Sequence, residues 1–366
     1  MNTLAFYITS HGHGHAARSC DLLAALHRHV PNLPLIVVST VEPAFLRSRL
    51  AGIPYRQRRV SLDVGLVQLD SIRGNPEATL GSALRLMQNR SRLVKQEVRF
   101  LREEQIAMVV SDIPSLPFEA AARERIPAIG VGNFSWNWIY ADYVQTDPRW
   151  RPVIQGFEEG YAKADLLIRL PFHEPMTAFR TFRDVPLFSR PGRNRRVELA
   201  ARSGCSPATT WVLISVSSLD WTGEALARLS AMTDFSFWTV QPLQWDRPGF
   251  HSAEREIFPY ADVLASCDVV LTKPGYGIVS ECVVNCKPMV YARREGFAET
   301  PILIEGIEHH LRHASISLAD LYSGHVEPAL RAALHAAAPE RRMDAGGDDQ
   351  AANLILSAMA RRAAAE

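Results

Sequence analysis

Cys267-Asp268-Val269-Val270-Leu271-Thr272 is an apolar, β-branched run that breaks at Lys273-Pro274-Gly275-Tyr276-Gly277, after which Ile278, Val279, Cys282 and Val283 recur at helical spacing. That order predicts a strand, a tight turn and a helix. Glycines let backbone N–H groups approach a ligand closely, and the first turn of the new helix aims its unpaired N–H groups and positive dipole end at the same point. Such a turn suits a phosphate or pyrophosphate. Glu281 follows about one helical turn beyond Gly277, within reach of sugar hydroxyls at the mouth of the turn. The same residues also suit a plain strand-to-helix turn carrying a solvated glutamate.

Outward from this turn the chain keeps the same rhythm. Trp211-Val212-Leu213-Ile214-Ser215 and Phe235-Ser236-Phe237-Trp238-Thr239-Val240 precede it as strand-like runs. The first half repeats the pattern. Leu4-Ala5-Phe6-Tyr7-Ile8, Leu35-Ile36-Val37-Val38-Ser39, Ala107-Met108-Val109-Val110-Ser111-Asp112 and Pro127-Ala128-Ile129-Gly130-Val131-Gly132 read as buried parallel strands. Ala164-Asp165-Leu166-Leu167-Ile168 reads as the last strand of that half. Apolar residues at helical spacing from Leu80 to Phe100 predict one long or one broken helix over 77–105. Strands alternating with helices mean doubly wound α/β architecture. A stretch with Pro171, Pro175, Pro186 and Pro191 and six arginines interrupts it. The domain reading is therefore 1–178, a linker over 179–196, a second domain over 197–346 and a terminal Ala-rich helix over 347–366.

A chain of 366 residues exceeds what one core usually serves, which agrees with two domains. A formal net charge of +1 provides no global field for nucleic acid or an anionic membrane. The five cysteines form no Cys-x-x-Cys pair, and Cys282 and Cys286 read as buried, reduced thiols on one helix face. No apolar run approaches a membrane span, and Met1 leads directly into a strand without a leader pattern, so a cytoplasmic chain is expected.

Thr9-Ser10-His11-Gly12-His13-Gly14-His15 is the most unusual segment. Three readings compete for it. Alternating histidines bind metal in some hydrolases, although that needs a single barrel with further ligands at other strand ends. Glycines also permit a tight turn that imidazoles merely fill. In the third reading Gly14-His15 resembles the Gly-His that opens the first helix of GT-B glycosyltransferases, which implies His15 as a general base; imidazole titrates near neutral pH without tuning, as that role needs. Asp112, at the end of a strand of the same sheet, would then orient it; Asp112 equally suits a cap on the helix after Pro114. Arg18, one turn after His15, either approaches a ligand or decorates the helix. The run Phe134-Ser135-Trp136-Asn137-Trp138-Ile139-Tyr140 supplies flat apolar faces for an acceptor or a packed wall.

Taken in order, Asp268, Gly275 to Gly277, Glu281, Lys287-Pro288-Met289-Val290-Tyr291 and Phe297-Ala298-Glu299-Thr300 resemble the C-terminal half of GT-B glycosyltransferases. The similarity points to the family of the lipid-linked N-acetylglucosamine transferase of peptidoglycan synthesis and to the glycosyltransferase-like part of arabinose kinase. The resemblance implies two Rossmann-like domains facing across a cleft, with the terminal helix crossing back to the first. It implies a nucleotide-sugar donor, UDP-linked by family, with pyrophosphate at Pro274, Gly275, Tyr276 and Gly277, ribose on Glu281 and the base near Ile257 and Phe258. Glu299 and Thr300 would reach the donor sugar. Gly14 would allow close approach at the first helix, with His15 as base, and His13, Arg18 and Trp136 would meet a small or lipid-linked hydroxyl acceptor. No metal or resident cofactor is implied. The chain departs from the family at Ser217-Ser218-Leu219-Asp220-Trp221, where a glycine-rich phosphate loop is usual, and at Glu299-Thr300, which replaces an acidic-Gln pair. The same scaffold serves nucleotide-sugar hydrolases and epimerases, and a noncatalytic sugar-nucleotide sensor would share its binding residues.

Overall fold

The computed structural model describes residues 3–9, 11–67, 74–216, 219–293, 297–339 and 342–363. Ser10, Ser217, Ser218 and the His13 side chain lie outside the described residues. The chain divides into two compact units, the first holding residues up to Val67, Gly74–Phe188 and the segment from Gly346, the second holding Ser189–Ala345.

The continuous aliphatic runs of the first unit become the middle of a parallel sheet. Its strands are β1 (Thr3–Ile8), β2 (Leu35–Val38), β3 (Arg56–Arg58), β4 (Ile106–Asp112), β5 (Ala128–Gly132), β6 (Leu166–Arg169) and β7 (Phe182–Asp184), in the order β3-β2-β1-β4-β5-β6-β7. Helices cover both faces of the central strands, which is why β1 and β4 tolerate no polar alternation: Leu4, Ala5 and Phe6 have no exposed surface, nor do Met108, Val109 and Val110. The edges read differently. β3 is Arg-Gln-Arg and β7 is Phe-Arg-Asp. The sheet thus runs one strand beyond β6, into the stretch read from sequence as linker. An edge strand needs a ladder on one side only, and charged side chains there discourage further pairing. Leu167 N–H donates to Thr181 and Val185 N–H to Arg169, while the Arg169 guanidinium stacks 3.6 Å from the Phe182 ring centre.

The segment read as one long or broken helix is one helix, Pro76–Glu103, started by Pro76 and by the Asn75 side chain, which accepts the Ala78 N–H. The terminal helix Gly347–Ala363 packs on the His13–His29 helix of the same unit. Arg28 reaches Asp348 at 3.1 Å and Asp349 at 2.8 Å, and Ala351, Ala352 and Ile355 are wholly buried.

The second unit repeats the wiring. β8 (Thr210–Ser215), β9 (Phe235–Val240), β10 (Phe250–Ala253), β11 (Val269–Thr272), β12 (Met289–Ala292) and β13 (His313–Ile316) run parallel in the order β10-β9-β8-β11-β12-β13. One face of its core packs Val212, Ile214, Phe237, Leu271 and Val290 against Trp221 and Leu330. Each sheet reverses its strand order once, between β1 and β4 and between β8 and β11. Crevices at the carboxyl ends of such switch-point strands are where doubly wound folds bind ligands.

Asp268 immediately precedes β11, at the opposite end from the glycine turn. There its carboxylate accepts the Trp211 N–H at 2.7 Å and the Arg196 guanidinium at 2.9 and 3.0 Å, so it pins the start of the strand. Cys282 is buried, but the helix ends at Val284, and Cys286 beyond it is exposed. No helix among the described residues is long and apolar enough to cross a membrane.

Candidate active site

β1 delivers the chain to the switch point of the first unit, and Gly12 turns it there. Gly12 has φ +80°, a conformation that L side chains rarely adopt, and immediately precedes the His13–His29 helix. Gly14 and His15 thus fall in the first helical turn. β4 ends at the neighbouring position with Asp112, and the two strands are directly paired.

The resulting polar cluster is dense. His15 Nδ1 lies 2.8 Å from Asp112 Oδ1. Arg18, one helical turn later, donates Nε to Asp112 Oδ2 at 2.7 Å and Nη2 to Oδ1 at 2.6 Å, a two-point grip on the carboxylate. Its Nη1 donates to Asn133 Oδ1 at 2.7 Å, and the Ser19 hydroxyl donates to Asp112 Oδ2 at 2.9 Å. Asp112 has no exposed surface, while His15 retains 8%. Asp112 therefore does not cap the helix after Pro114, whose N-cap is Ser115.

The protonation pattern follows from these contacts. Burial alone would raise the Asp112 pKa, but Arg18 and then His15 outweigh it and hold the carboxyl well below the usual carboxylate range. Burial lowers the His15 pKa and Arg18 lowers it further, against the opposing pull of Asp112. The imidazole is thus neutral at neutral pH. Nδ1 faces both Asp112 Oδ1 at 2.8 Å and Arg18 Nη2 at 2.9 Å. The carboxylate acceptor favours the tautomer with its proton on Nδ1, the guanidinium donor the opposite one, and we take the first. Nε2 then holds the free lone pair, and Asp112 stabilises the positive charge that arrives when Nε2 takes a proton.

The acceptor role expected of Arg18 and Trp136 is corrected by burial. Arg18 is 5% exposed and committed to Asp112 and Asn133, so it orients the carboxylate. Trp136 has no exposed surface; its Nε1 donates to Asp63 Oδ2 at 2.9 Å and its ring stacks on Tyr140. His11 takes the Leu66 N–H on Nδ1 at 3.2 Å and sets its ring against Trp136. Among the described residues, no group of three or more His, Cys, Asp and Glu side chains gathers to hold a metal ion. Ser19, Asn133 and Asp63 join the site without having been singled out. Ser19 was findable, since it follows His15 by four residues on one helix face; Asn133 and Asp63 sit in loops with no periodic signal.

In the second unit β11 ends at Thr272, whose hydroxyl donates to the Ser215 carbonyl of β8. The helix Tyr276–Val284 starts with Gly275 at its N-cap, no side chain caps it, and its first turn holds no acid. A Cβ on Gly275 would meet only Ile278, at 4.0 Å, so the fold leaves space there. Pro274 and Tyr276 are buried, while Gly275, Gly277 and Glu281 remain partly exposed. Burial raises the Tyr260 phenol well above its ordinary value, and the nearby Glu281 carboxylate adds to the effect. Thr300 opens the Thr300–His310 helix with Glu299 at its N-cap, and that helix packs beside Tyr276–Val284. The Thr300 hydroxyl is buried without a hydrogen-bond partner among the described residues. Phe258 is buried beneath the Arg195 guanidinium, 4.4 Å from its ring centre, so of the base-site pair only Ile257 presents an exposed side chain.

No protein-family model matches the chain. The glycosyltransferase of kitacinnamycin superposes with a TM-score of 0.62 at 16% identity, covering 97% of this chain and 98% of the other. The chain has the GT-B fold. A second GT-B structure, a UDP-glucosyltransferase from Polygonum tinctorium capable of glucosylating indoxyl, covers 99% of this chain and 94% of its own with a TM-score of 0.61 at 12% identity. By sequence the chain is 31% identical over 340 residues to an L-arabinokinase of Arabidopsis thaliana, spanning 90% of itself. It covers 32% of that relative's length. The expected GT-B architecture and the resemblance to the arabinose kinase are both carried by these matches.

Proposed function

We propose that the chain is an enzyme that transfers a sugar from a nucleotide sugar, UDP-linked, to an acceptor hydroxyl in the cytoplasm. The observation that carries this reading is His15, neutral at neutral pH, with Nδ1 on the ionised Asp112 and Nε2 left as the base. Nε2 removes the acceptor proton as that oxygen bonds to the anomeric carbon. The bond from that carbon to the phosphate oxygen breaks, and the nucleoside diphosphate leaves with the electron pair. Gly275, Tyr276 and Gly277 supply backbone donors and the helix dipole for the departing charge, so no divalent cation is required. Glu281 takes the ribose, with the base beside Ile257, and Glu299 and Thr300 take the sugar hydroxyls. His13 borders the acceptor, and Gly14 lets the nucleotide sugar approach closely.

The test is calorimetric titration of UDP, GDP, dTDP and ADP with EDTA present, on wild type and Glu281→Ala. Tight binding of one nucleotide that the variant loses supports the donor site. No binding at millimolar concentration overturns it. Sugar release without an acceptor would move the reading to hydrolysis.

A further inference from the structure

His15 is tethered through Cβ and held at Nδ1 by Asp112, and Phe134 packs against the rest of its ring. Phe134 belongs to a chain of aromatic edges. Phe134 meets His15 edge-on with ring centres 5.3 Å apart at 87°, and Trp136 meets Phe134 at 5.2 Å and 71°. Trp136 is in turn anchored by its one polar atom, Nε1–H, which donates to Asp63 Oδ2 at 2.9 Å. Asp63 is a buried carboxyl on a loop, 8% exposed, and the transfer step makes no use of it. The loop is tied to the same wall twice more, through the Tyr140 hydroxyl on the Gly65 carbonyl at 2.8 Å and the Leu66 N–H on His11 Nδ1 at 3.2 Å.

We propose that Asp63 is a positioning residue, which anchors the Trp136 indole and, through Phe134, holds the His15 imidazole in register with Asp112. The proposal rests on the reading of His15 as the base. Tryptophan offers a single donor, and a buried donor left unmade is costly, so the indole follows its acceptor. A carboxylate is the stronger acceptor when ionised. Burial pushes the Asp63 carboxyl up to about 6, Thr9 and Trp136 pull it down, and Asp112 pushes it up again. The other titratable groups facing it are Tyr140 and Tyr161, whose phenols are raised well out of the working range, and His11 across the Trp136 ring. The anchor therefore changes strength in the range where imidazoles titrate.

Spectra of the ¹⁵N-tryptophan-labelled chain test this, with Trp136→Phe identifying the Trp136 indole signal and His15 followed by its labelled imidazole. The wild-type Trp136 signal is expected to step with a midpoint of about 6, and Asp63→Asn to abolish the step. Asp63→Ala and Trp136→Phe are expected to shift the His15 signals, while Asp63→Asn, which keeps an acceptor oxygen, restores them toward wild type. A wild-type Trp136 signal that is flat from about pH 4.5 to about pH 8, or His15 signals unmoved in both Asp63→Ala and Trp136→Phe, overturns the proposal. Should Asp63→Ala not fold, Trp136→Phe and Asp63→Asn decide the matter. Neither readout uses a nucleotide, so a failed UDP titration, which removes the transfer reading, is told apart from a failure of the coupling between Asp63, Trp136 and His15.

Discussion

The Asp112 carboxylate receives His15 Nδ1 at 2.8 Å on one oxygen and the Arg18 guanidinium across both, at 2.6 and 2.7 Å. Arg18 thereby does two things at once: it keeps Asp112 ionised and it discourages protonation of His15 in the resting state. On the proposed reading, a base prepared this way is neutral before reaction and stabilised after it. Replacing His15 by Ala is expected to lower turnover by about 10²- to 10⁴-fold, the usual worth of a positioned general base, with nucleotide affinity unchanged. Initial rates and calorimetry on the same samples separate the two effects.

Asp112→Asn removes the charge that compensates a buried guanidinium. Breaking one partner of a buried ion pair costs about 3 to 5 kcal/mol, so denaturant unfolding should show a loss of that size, and Ser19→Ala a loss of about 1 kcal/mol. The wild-type contribution has a definite sign with pH. A depressed carboxyl stabilises the fold above its unfolded pKa of 3.8, and that stability disappears as pH falls through its lower folded value.

His15 titrates below its ordinary value of 6.5, since burial and Arg18 disfavour the imidazolium. Turnover is therefore expected to hold at pH 6.5 and to fall only as pH drops through the lower folded pKa. The same shift makes folding less favourable toward acid, because the unfolded chain takes up the proton first. A rate profile whose acid limb lies above 6.5 would contradict this.

Gly275 is not required by the fold, since an added Cβ would meet only Ile278 at 4.0 Å and its φ is ordinary at −150°. Gly275→Ala should keep the wild-type melting temperature. If a diphosphate sits against this turn, the new methyl group occupies its space, and calorimetry should show UDP affinity falling by at least about tenfold, which is about 1.4 kcal/mol.

Asp63 gives a stability prediction of opposite sign to Asp112. Its carboxyl is raised from 3.8 to about 6, so the folded state favours the neutral acid. The stabilisation is complete below 3.8 and lost as pH rises through about 6, a penalty of about 3 kcal/mol at 1.36 kcal/mol per unit. Asp63→Asn should therefore gain stability on wild type progressively as pH rises across that interval. Equal differences at both ends of it would refute the assignment.

The sequence by itself determined the parts that depend on local pattern. Long aliphatic runs specify strands buried on both faces, and so β1, β2, β4, β5, β8, β9 and β11 were legible, as were both strand-to-helix turns, at Gly12 and at Gly275. Polar edge strands such as Arg56-Gln57-Arg58 and Phe182-Arg183-Asp184 were not, because a strand paired on one side and wetted on the other carries no hydrophobic signature. His15 and Asp112 were identifiable as candidates from their places after β1 and at the end of β4, since strand order brings those ends together. What only the tertiary structure decided was the commitment of each side chain. Arg18 turned inward, Trp136 lost all exposure, and Asp63 came from a loop to meet it. These outcomes rest on burial and on hydrogen bonds between residues far apart in sequence, where spacing along the chain carries no information about which polar group a buried donor will find.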